Sequence, residues 1–403
     1  MFNDMSNIDR VASLSASKLQ EMSAFISEGK QELGITKFNE LLTKSKVNDL
    51  PLLSKAIVKQ AVIDMKAAGY IFPTRKYGGN DVDVFSHEDV RAIYRHRGVA
   101  TYREKFKGGF TIFIGNLKGG VSKTVSSVNA AHALRLHPDL IKDDLRILVI
   151  DIDPQSSATM FLTHEFAYGD VDTTAIQAML NNVSREELKE LFICKSQVDG
   201  VDVMPSSIDD AFIASQWEAL CEEHLPGQGV YSVLRENIID RLSDDYDLIF
   251  VDCGPHLDAC LLNTLGAADL LLTPIPPAQV DFHSTMKYLM RLPQLFSKLS
   301  EFGVDRSRPV NIGYMTKVAD KKDHLEITEI SKEIFGGHML DAKIPRLDGF
   351  ERCGETFDTT ITANPETYPG SVQALNNAKK ASYSFARSLM SRINFMRSSE
   401  ESL

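Results

Sequence analysis

The sequence predicts an α/β protein, a mostly parallel, doubly wound sheet preceded by a smaller helical front unit. Two observations predict it. From Phe110 onward, continuous Val/Ile/Leu-rich runs alternate with amphipathic helical stretches, the pattern of strands buried on both faces. Before Phe110 that alternation is absent, and helical periods surround a single candidate hairpin. The chain has 403 residues, 43% hydrophobic and 25% charged. That suits about two or three folded units and argues against a largely disordered chain.

Residues 1–33 read as one helix, because Ile8, Val11, Leu19, Met22, Phe25 and Ile26 recur near three-to-four spacing and Gly34 offers a stop. A long lone helix must bury its stripe against its own domain or against a second copy, and both remain open. Residues 34–107 form the next unit. Phe38, Leu41 and Leu42 point to a short helix. Leu50–Ser54 forms a turn with Ser54 as N-cap, and a helix follows from Lys55 to Ala68, with Ile57, Val58, Ala61, Val62 and Met65 inward. Tyr70–Phe72 and Val82–Phe85 are strand candidates around Pro73–Gly79, and Ser86 caps a helix through His96. Helix, tight turn, helix and hairpin have winged helix-turn-helix form. Residues 108–403 supply the sheet, with strand candidates Phe110–Ile114, Arg146–Ile150, Val201–Met204, Leu248–Val251, Leu270–Thr273, Val310–Met315 and Leu340–Ile344. The last helix runs from about Ser371 to Met396.

Charge is unevenly spread. Residues 1–109 carry 17 basic and 13 acidic residues, and the remainder carries 27 and 42, so a front of net +4 precedes a body of net −15. A basic front fits an anionic partner, and chance fits it equally well. Cys194, Cys221, Cys253, Cys260 and Cys353 are scattered and odd in number, which disfavours a disulfide framework, a structural zinc site or a cysteine-ligated cluster. No apolar run approaches the ~18 residues a membrane helix needs, and the first ten residues are too polar for a secretory signal. A reducing cytoplasm is the expected compartment.

The chemistry concentrates after Ile114. Phe110–Ile114 feeds Gly115-Asn116-Leu117-Lys118-Gly119-Gly120-Val121-Ser122-Lys123-Thr124, and a helix begins near Ser122. A strand, a Gly-rich loop and a helix N-terminus aim backbone N–H groups at one point, where phosphate binds. Lys123 is placed for the β/γ-phosphates and Thr124 for Mg²⁺. The usual G-x-x-x-x-G-K-[ST] spelling fails at Leu117 and Ser122. The spelling K-G-G-x-x-K-[ST] fits instead and adds Lys118, a cation suited to stabilise a γ-phosphate held by another subunit. Arg146–Ile150 continues into Asp151 and Asp153, and Leu248–Val251 ends at Asp252, so three carboxylates sit where ligands bind in open parallel sheets. Asp151 and Asp252 suit Mg²⁺ and its waters, and Asp153 suits orienting or deprotonating an attacking water. Any one of them alone reads more simply as an N-cap.

These motifs resemble those of the deviant-Walker P-loop ATPases, specifically the ParA partition ATPases of plasmids and prophages in their long form with an N-terminal DNA-binding unit. The resemblance rests on Lys118-Gly119-Gly120-Val121-Ser122-Lys123-Thr124, Ile150-Asp151-Ile152-Asp153-Pro154-Gln155 and Phe250-Val251-Asp252-Cys253-Gly254-Pro255. It implies an ATPase domain over 108–403 and a homodimer that sandwiches ATP or ADP with Mg²⁺. Lys118, Lys123 and Asp153 are then the catalytic residues, and Thr124, Asp151 and Asp252 the metal shell. The run from Lys118 to Thr124, with Val125 and Pro345, then binds the nucleotide, and Met315-Thr316-Lys317, after a late strand, forms part of the adenine pocket with Met315 as the contact. It further implies that Pro345–Arg352 borders the nucleotide and carries basic residues for non-specific DNA, Arg352 foremost, and that 1–33 is a dimerisation helix. Most relatives have Gly where this chain has Ser122, and Gly-Asn where it has Ser156-Ser157. Ser122 removes a residue that tolerates positive φ.

In the 34–107 unit, Lys55, Lys59 and Lys66 are placed to neutralise phosphates and Gln60 to read an adenine edge, with Arg75 and Lys76 near the hairpin tip reaching a neighbouring groove. From the residues alone, ordinary solvated lysines explain the same pattern. The resemblance turns this into an operator-binding winged helix-turn-helix. The function it implies is plasmid or prophage partition in the cytoplasm, on the nucleoid. The ATP dimer binds non-specific DNA, the ADP form represses its own operon, and a ParB-like centromere-binding protein stimulates hydrolysis. No membrane partner is expected. The alternative is a membrane-cycling positioning ATPase of the MinD type. In that case Phe385, Leu389, Ile393 and Met396, with Arg387, Arg392 and Arg397, lie on anionic lipid, whereas core packing accounts for the same helix. A metabolic ligase on this fold has no use for a DNA-reading front.

Overall fold

The computed structural model describes residues 6–32, 37–163, 171 and 173–400, with the side chains of 23, 25–32 and 400 excepted. Helix α1 (Asn7–Glu32) leaves Ile8, Val11, Leu14, Leu19 and Met22 exposed. Phe25 and Ile26 belong to the same expected stripe, but their side chains lie outside the described residues, as does Gly34.

The front unit has its own core, with Val47, Val58, Val62, Met65, Phe85, Val90 and Ile93 buried together. Strand β1 (Leu42–Thr43) precedes helix α2 (Lys44–Asn48). The short helix expected at Phe38–Leu42 is therefore absent, because Leu42 and Thr43 pair antiparallel with Phe85 and Val84. Helix α3 (Lys55–Ala67) starts as expected, with the Ser54 hydroxyl accepting from the Ile57 amide and Val58, Ala61, Val62 and Met65 buried. The wing is strand β2 (Thr74–Tyr77) against β3 (Asn80–Phe85). Its first strand starts at Thr74 rather than Tyr70, because the turn falls at Gly78-Gly79, both with positive φ. Helix α4 (His87–His96) carries a Ser86–Asp89 capping box, and α5 (Tyr102–Lys105) leads into the sheet.

The remaining strands are β4 (Phe110–Ile114), β5 (Ile147–Asp151), β6 (Cys194–Lys195), β7 (Val201–Met204), β8 (Leu248–Asp252), β9 (Leu270–Ile275), β10 (Val310–Val318) and β11 (Ile344–Pro345). They form one sheet in the order β11-β10-β9-β4-β8-β5-β7-β6, parallel throughout except for β6. Alternate residues serve opposite faces. Phe113, Ile150 and Val251 enter one core; Ile112, Val149 and Phe250 enter the other. The expected strand at Leu340–Ile344 contracts to Ile344–Pro345, and β6 escaped the apolar pattern because it has two residues.

Helix α6 (Lys123–Leu136) is buried along nearly its whole length of about 21 Å. The final helix, Val372–Glu400, packs Phe385, Leu389 and Ile393 into the core on that side of the sheet. The stripe weighed for a lipid surface is thus spent internally, and among the described residues no helix is long and apolar enough to cross a membrane.

The two units meet in a charged seam. Arg91 of α4 is buried and donates to the carbonyl of Arg135, in the last turn of α6, at 3.2 Å. Asp144 collects Arg135 at 2.6 Å, Arg95 at 2.9 Å and Arg91 at 3.4 Å. Arg135 also donates to the carbonyls of Asp199 and Leu145. Gly200, with φ +89°, permits this, since a Cβ there would stand 2.3 Å from the Arg135 guanidinium. Beside the seam, burial and then the Arg91 charge push the His87 imidazole down to about 4. Its ring contacts Phe38 at 5.7 Å. Between the ordinary histidine value of about 6.5 and about 4, the unfolded chain binds a proton that the folded one refuses, so folding weakens as pH falls through that window. We expect the melting temperature to drop by on the order of 5 °C across it, and His87→Phe to flatten that slope; equal slopes in the two proteins would refute the assignment.

Candidate nucleotide site and DNA interface

Backbone geometry builds the site before any side chain does. The loop leaves β4 and enters α6 through Gly120 (φ +74°) and Ser122 (φ +76°). Ser122 therefore holds a left-handed conformation where glycine would be unstrained. Its side chain makes no capping bond, which leaves the first-turn amides of α6 available to an anion. Asn116, buried before the loop, braces it. Its Nδ2 donates to the Pro274 carbonyl at 3.0 Å and to Thr285 at 2.9 Å, and its Oδ1 accepts from the Lys118 amide at 3.0 Å.

A cavity of about 540 Å³ lies over the loop. Of the residues singled out in the sequence, Gly119, Gly120, Ser122, Lys123, Thr124, Val125, Asp153 and Pro345 line it. Lys123 is nearly buried, and burial lowers its pKa against the opposing pull of Asp252, so the ammonium waits for an anion. Three residues expected at the nucleotide, Lys118, Val121 and Met315, do not line the cavity. Val121 is buried, its carbonyl accepting from Thr316; Met315 is buried with Ile275, Val318 and Ile327. Met315 belongs to apolar packing, and the register slip between Thr316 and Val318, rather than strand alternation, brings Lys317 to the cavity. Arg346, Leu347 and Phe350 also line it, within the Pro345–Arg352 segment that the resemblance sets beside the nucleotide.

The carboxylates divide by partner. Asp151 and Asp252 are adjacent in register at the ends of β5 and β8. Asp252 accepts the Thr124 hydroxyl at 2.7 Å through Oδ2, while its Oδ1 is buried without a hydrogen-bond partner. Asp151 is occupied by the Thr159 amide and hydroxyl, both at 2.8 Å, and by the Asp153 amide at 3.1 Å. Burial raises both carboxyl pKa values, and the Asp252 charge raises that of Asp151 further. A hydroxyl, a carboxylate with an orphaned oxygen and an adjoining phosphate cavity fit a hard divalent cation such as Mg²⁺. Asp153 lines the cavity with Oδ1 accepting from the Gln155 amide at 3.0 Å. Lys118 lies outside the cavity of its own chain, 3.6 Å from Asp281.

On the front unit, Lys55, Lys59, Arg75 and Lys76 are exposed and make no ion pair recorded among the described residues, whereas Lys66 pairs with Asp83 at 2.6 Å. The Gln60 amide is engaged by Asp64 at 2.7 Å, so reading a base requires that bond to open. Arg75 and Lys76 stand on β2 just before the turn. Arg352 is half-buried on the helix Asp348–Cys353, 3.7 Å from Glu355, while its helix neighbours Phe350 and Glu351 line the cavity.

A parallel sheet with a phosphate loop after a central strand, acids on two neighbouring strand ends and a winged helix-turn-helix in front defines a P-loop ATPase with a DNA-binding unit. Family models agree in both parts: an AAA domain matches residues 109–300 and a ParA helix turn helix domain matches residues 15–106. The chain is 53% identical to plasmid partition protein A of Escherichia coli, over 98% of this chain and 100% of that protein. It is 30% identical to the chromosome partitioning protein ParA of Myxococcus xanthus, over 44% of this chain and 58% of that one. A solved partition protein superposes with a TM-score of 0.78 at 42% identity, covering 97% of this chain and 98% of its own. The chain belongs to the ParA family of plasmid partition ATPases.

Proposed function

We propose that this ATPase is the nucleotide-driven switch of a partition system. ATP closes a homodimer that binds non-specific DNA. A ParB-like centromere-binding partner stimulates hydrolysis, and the ADP form uses the winged helix-turn-helix to repress its own operon. Such a cycle places the protein in the cytoplasm, on the nucleoid. The observation that carries this reading is helix α6. Its first residues, Lys123 and Thr124, stand at the nucleotide cavity, and its last turn is held by Arg91 of the DNA-binding unit. A rigid element touching both sites can bias both, because nucleotide shifts DNA affinity only through states that differ in contact.

In this scheme Lys123 and the α6 amides hold phosphate. Thr124 and Asp252 hold Mg²⁺, which supplies neutralisation of phosphate charge, and Asp151 fixes the turn that carries Asp153. Asp153 orients water. Lys118, outside its own cavity, acts on the partner's triphosphate. The exposed apolar stripe of α1 supports contact with a second copy, and Arg352, beside cavity-lining residues, supports a non-specific DNA surface that responds to nucleotide.

The test is binding to operator and to random duplex with no nucleotide, ADP and ATP at one salt concentration. ATP should raise affinity for random duplex, and ADP should favour operator. Lys55→Ala with Lys59→Ala should weaken operator binding on the order of tenfold while sparing the ATP-dependent binding to random duplex. A specificity ratio indifferent to nucleotide would remove the switch.

A further inference from the structure

Asp153 is held at both of its peptide groups, and one of the holds comes from a different strand. The Asp153 amide donates to Asp151 Oδ1 at 3.1 Å. Its carbonyl accepts the Ser206 hydroxyl and the Ser156 amide, each at 2.8 Å. Two planar peptides fixed in direction fix φ and ψ of the residue between them, and with them the line along which its side chain leaves the backbone. The carboxylate is then steadied by the Gln155 amide on Oδ1 and lines the cavity. Ser206 itself is fully buried and does not line the cavity. It stands two residues past the end of β7, where Met204 is level with Ile150 of β5. Both of its donors serve the acid turn, because its amide donates to Thr159 Oγ1 at 3.1 Å and that hydroxyl donates in turn to Asp151 Oδ2. The Ser206 hydroxyl also shares a hydrogen bond with the Ser156 hydroxyl at 3.1 Å. Ser156 closes the turn with φ +55°, a backbone that a residue with a side chain keeps only where its surroundings over-determine it. Glycine at that position would need no such support.

We propose that Ser206 is a positioning residue for hydrolysis: its hydroxyl, reaching across from the end of β7, holds the turn 153–156 in the shape that aims Asp153 into the cavity, and offsets the strain at Ser156. The proposal rests on the reading of Asp153 as the residue that orients water. It explains why one buried hydroxyl, 53 residues from Asp153 in the chain, meets both the carbonyl of that residue and the strained serine that closes its turn.

Three full-length variants test it: Ser206→Ala, Ser156→Gly and the two together, read by steady-state ATPase kinetics, equilibrium ATP binding and thermal melting. Ser206→Ala removes only the hydroxyl. Loss of that buried hydrogen bond should lower kcat about tenfold. ATP affinity should stay within about twofold of the parent, since the tie acts on the water-orienting group and not on phosphate. Ser156→Gly relaxes the backbone and supplies the reference for the double variant. Relative to Ser156→Gly, the double variant should lose only about threefold in kcat, because the turn no longer needs the support. Should Ser206→Ala alone melt below the assay temperature, that second comparison still carries the test, and an unchanged kcat in it overturns the proposal. The proposal is also overturned if a folded Ser206→Ala keeps the parent's kcat, if its ATP affinity falls in step with kcat, or if the full tenfold loss persists over Ser156→Gly. Hydrolysis at the parent's rate by both Asp153→Ala and Asp153→Asn would instead remove the reading of Asp153, a separate outcome.

Discussion

Lys123→Gln should abolish ATP-dependent binding to random duplex and weaken ATP binding at least about a hundredfold. The expected size follows from what the side chain loses. An ammonium in a nearly buried position forms charge-assisted hydrogen bonds to phosphate oxygens, each worth roughly 1.5–3 kcal/mol, and two such bonds account for a hundredfold. Glutamine is close in length and keeps a donor, so the change removes charge with little change in shape. Because burial disfavours the charged lysine before nucleotide arrives, the nucleotide-free protein should hold its melting temperature. Calorimetric titration with ATP, thermal melting and duplex binding separate the two effects. Full ATP-dependent DNA binding by the variant would refute the role of Lys123.

The second large effect falls on turnover alone. Asp153→Ala should bind ATP within about threefold of the parent yet hydrolyse it at least about thirtyfold more slowly, the low end for losing a group that orients or deprotonates water. The variant should accumulate on random duplex, since the ATP state would form and persist. Alanine also removes the acceptor for the Gln155 amide, so Asp153→Asn is the needed companion. It keeps an acceptor oxygen in the turn and lacks the negative charge. Slow hydrolysis in both variants assigns the loss to chemistry. Slow hydrolysis in Asp153→Ala alone assigns it to the turn, and unchanged turnover in both removes Asp153 from the mechanism.

Much of the candidate nucleotide site was legible because its chemistry is local. Ser122, Lys123 and Thr124 are consecutive, and a loop that must present amides to phosphate needs its glycines and lysines at set spacing. The buried strands were legible for a related reason: β4, β5 and β8 have both faces covered, so each is an unbroken apolar run. Elements at the margins were not. Leu42–Thr43 has the composition of a short helix and becomes a strand because β3 offers it a ladder. Met315 and Lys317 are two residues apart at the end of one strand, and a bulge that no periodicity announces decides that the lysine, and not the methionine, reaches the cavity.

By itself the sequence determined the parallel sheet, the phosphate loop and the candidate acids, because each is a short segment whose pattern follows from burial or from phosphate chemistry. Only the tertiary structure decided which acid keeps a free oxygen, which cation touches the loop and how the front unit is coupled. Thr124 meets Asp252 across 128 residues of chain, Lys317 meets Gly120 across 197, and Arg91 meets Arg135 across 44. Those contacts depend on the order in which strands pair and on the exit angle of each loop. Both are set by packing the whole sheet, which no local window contains.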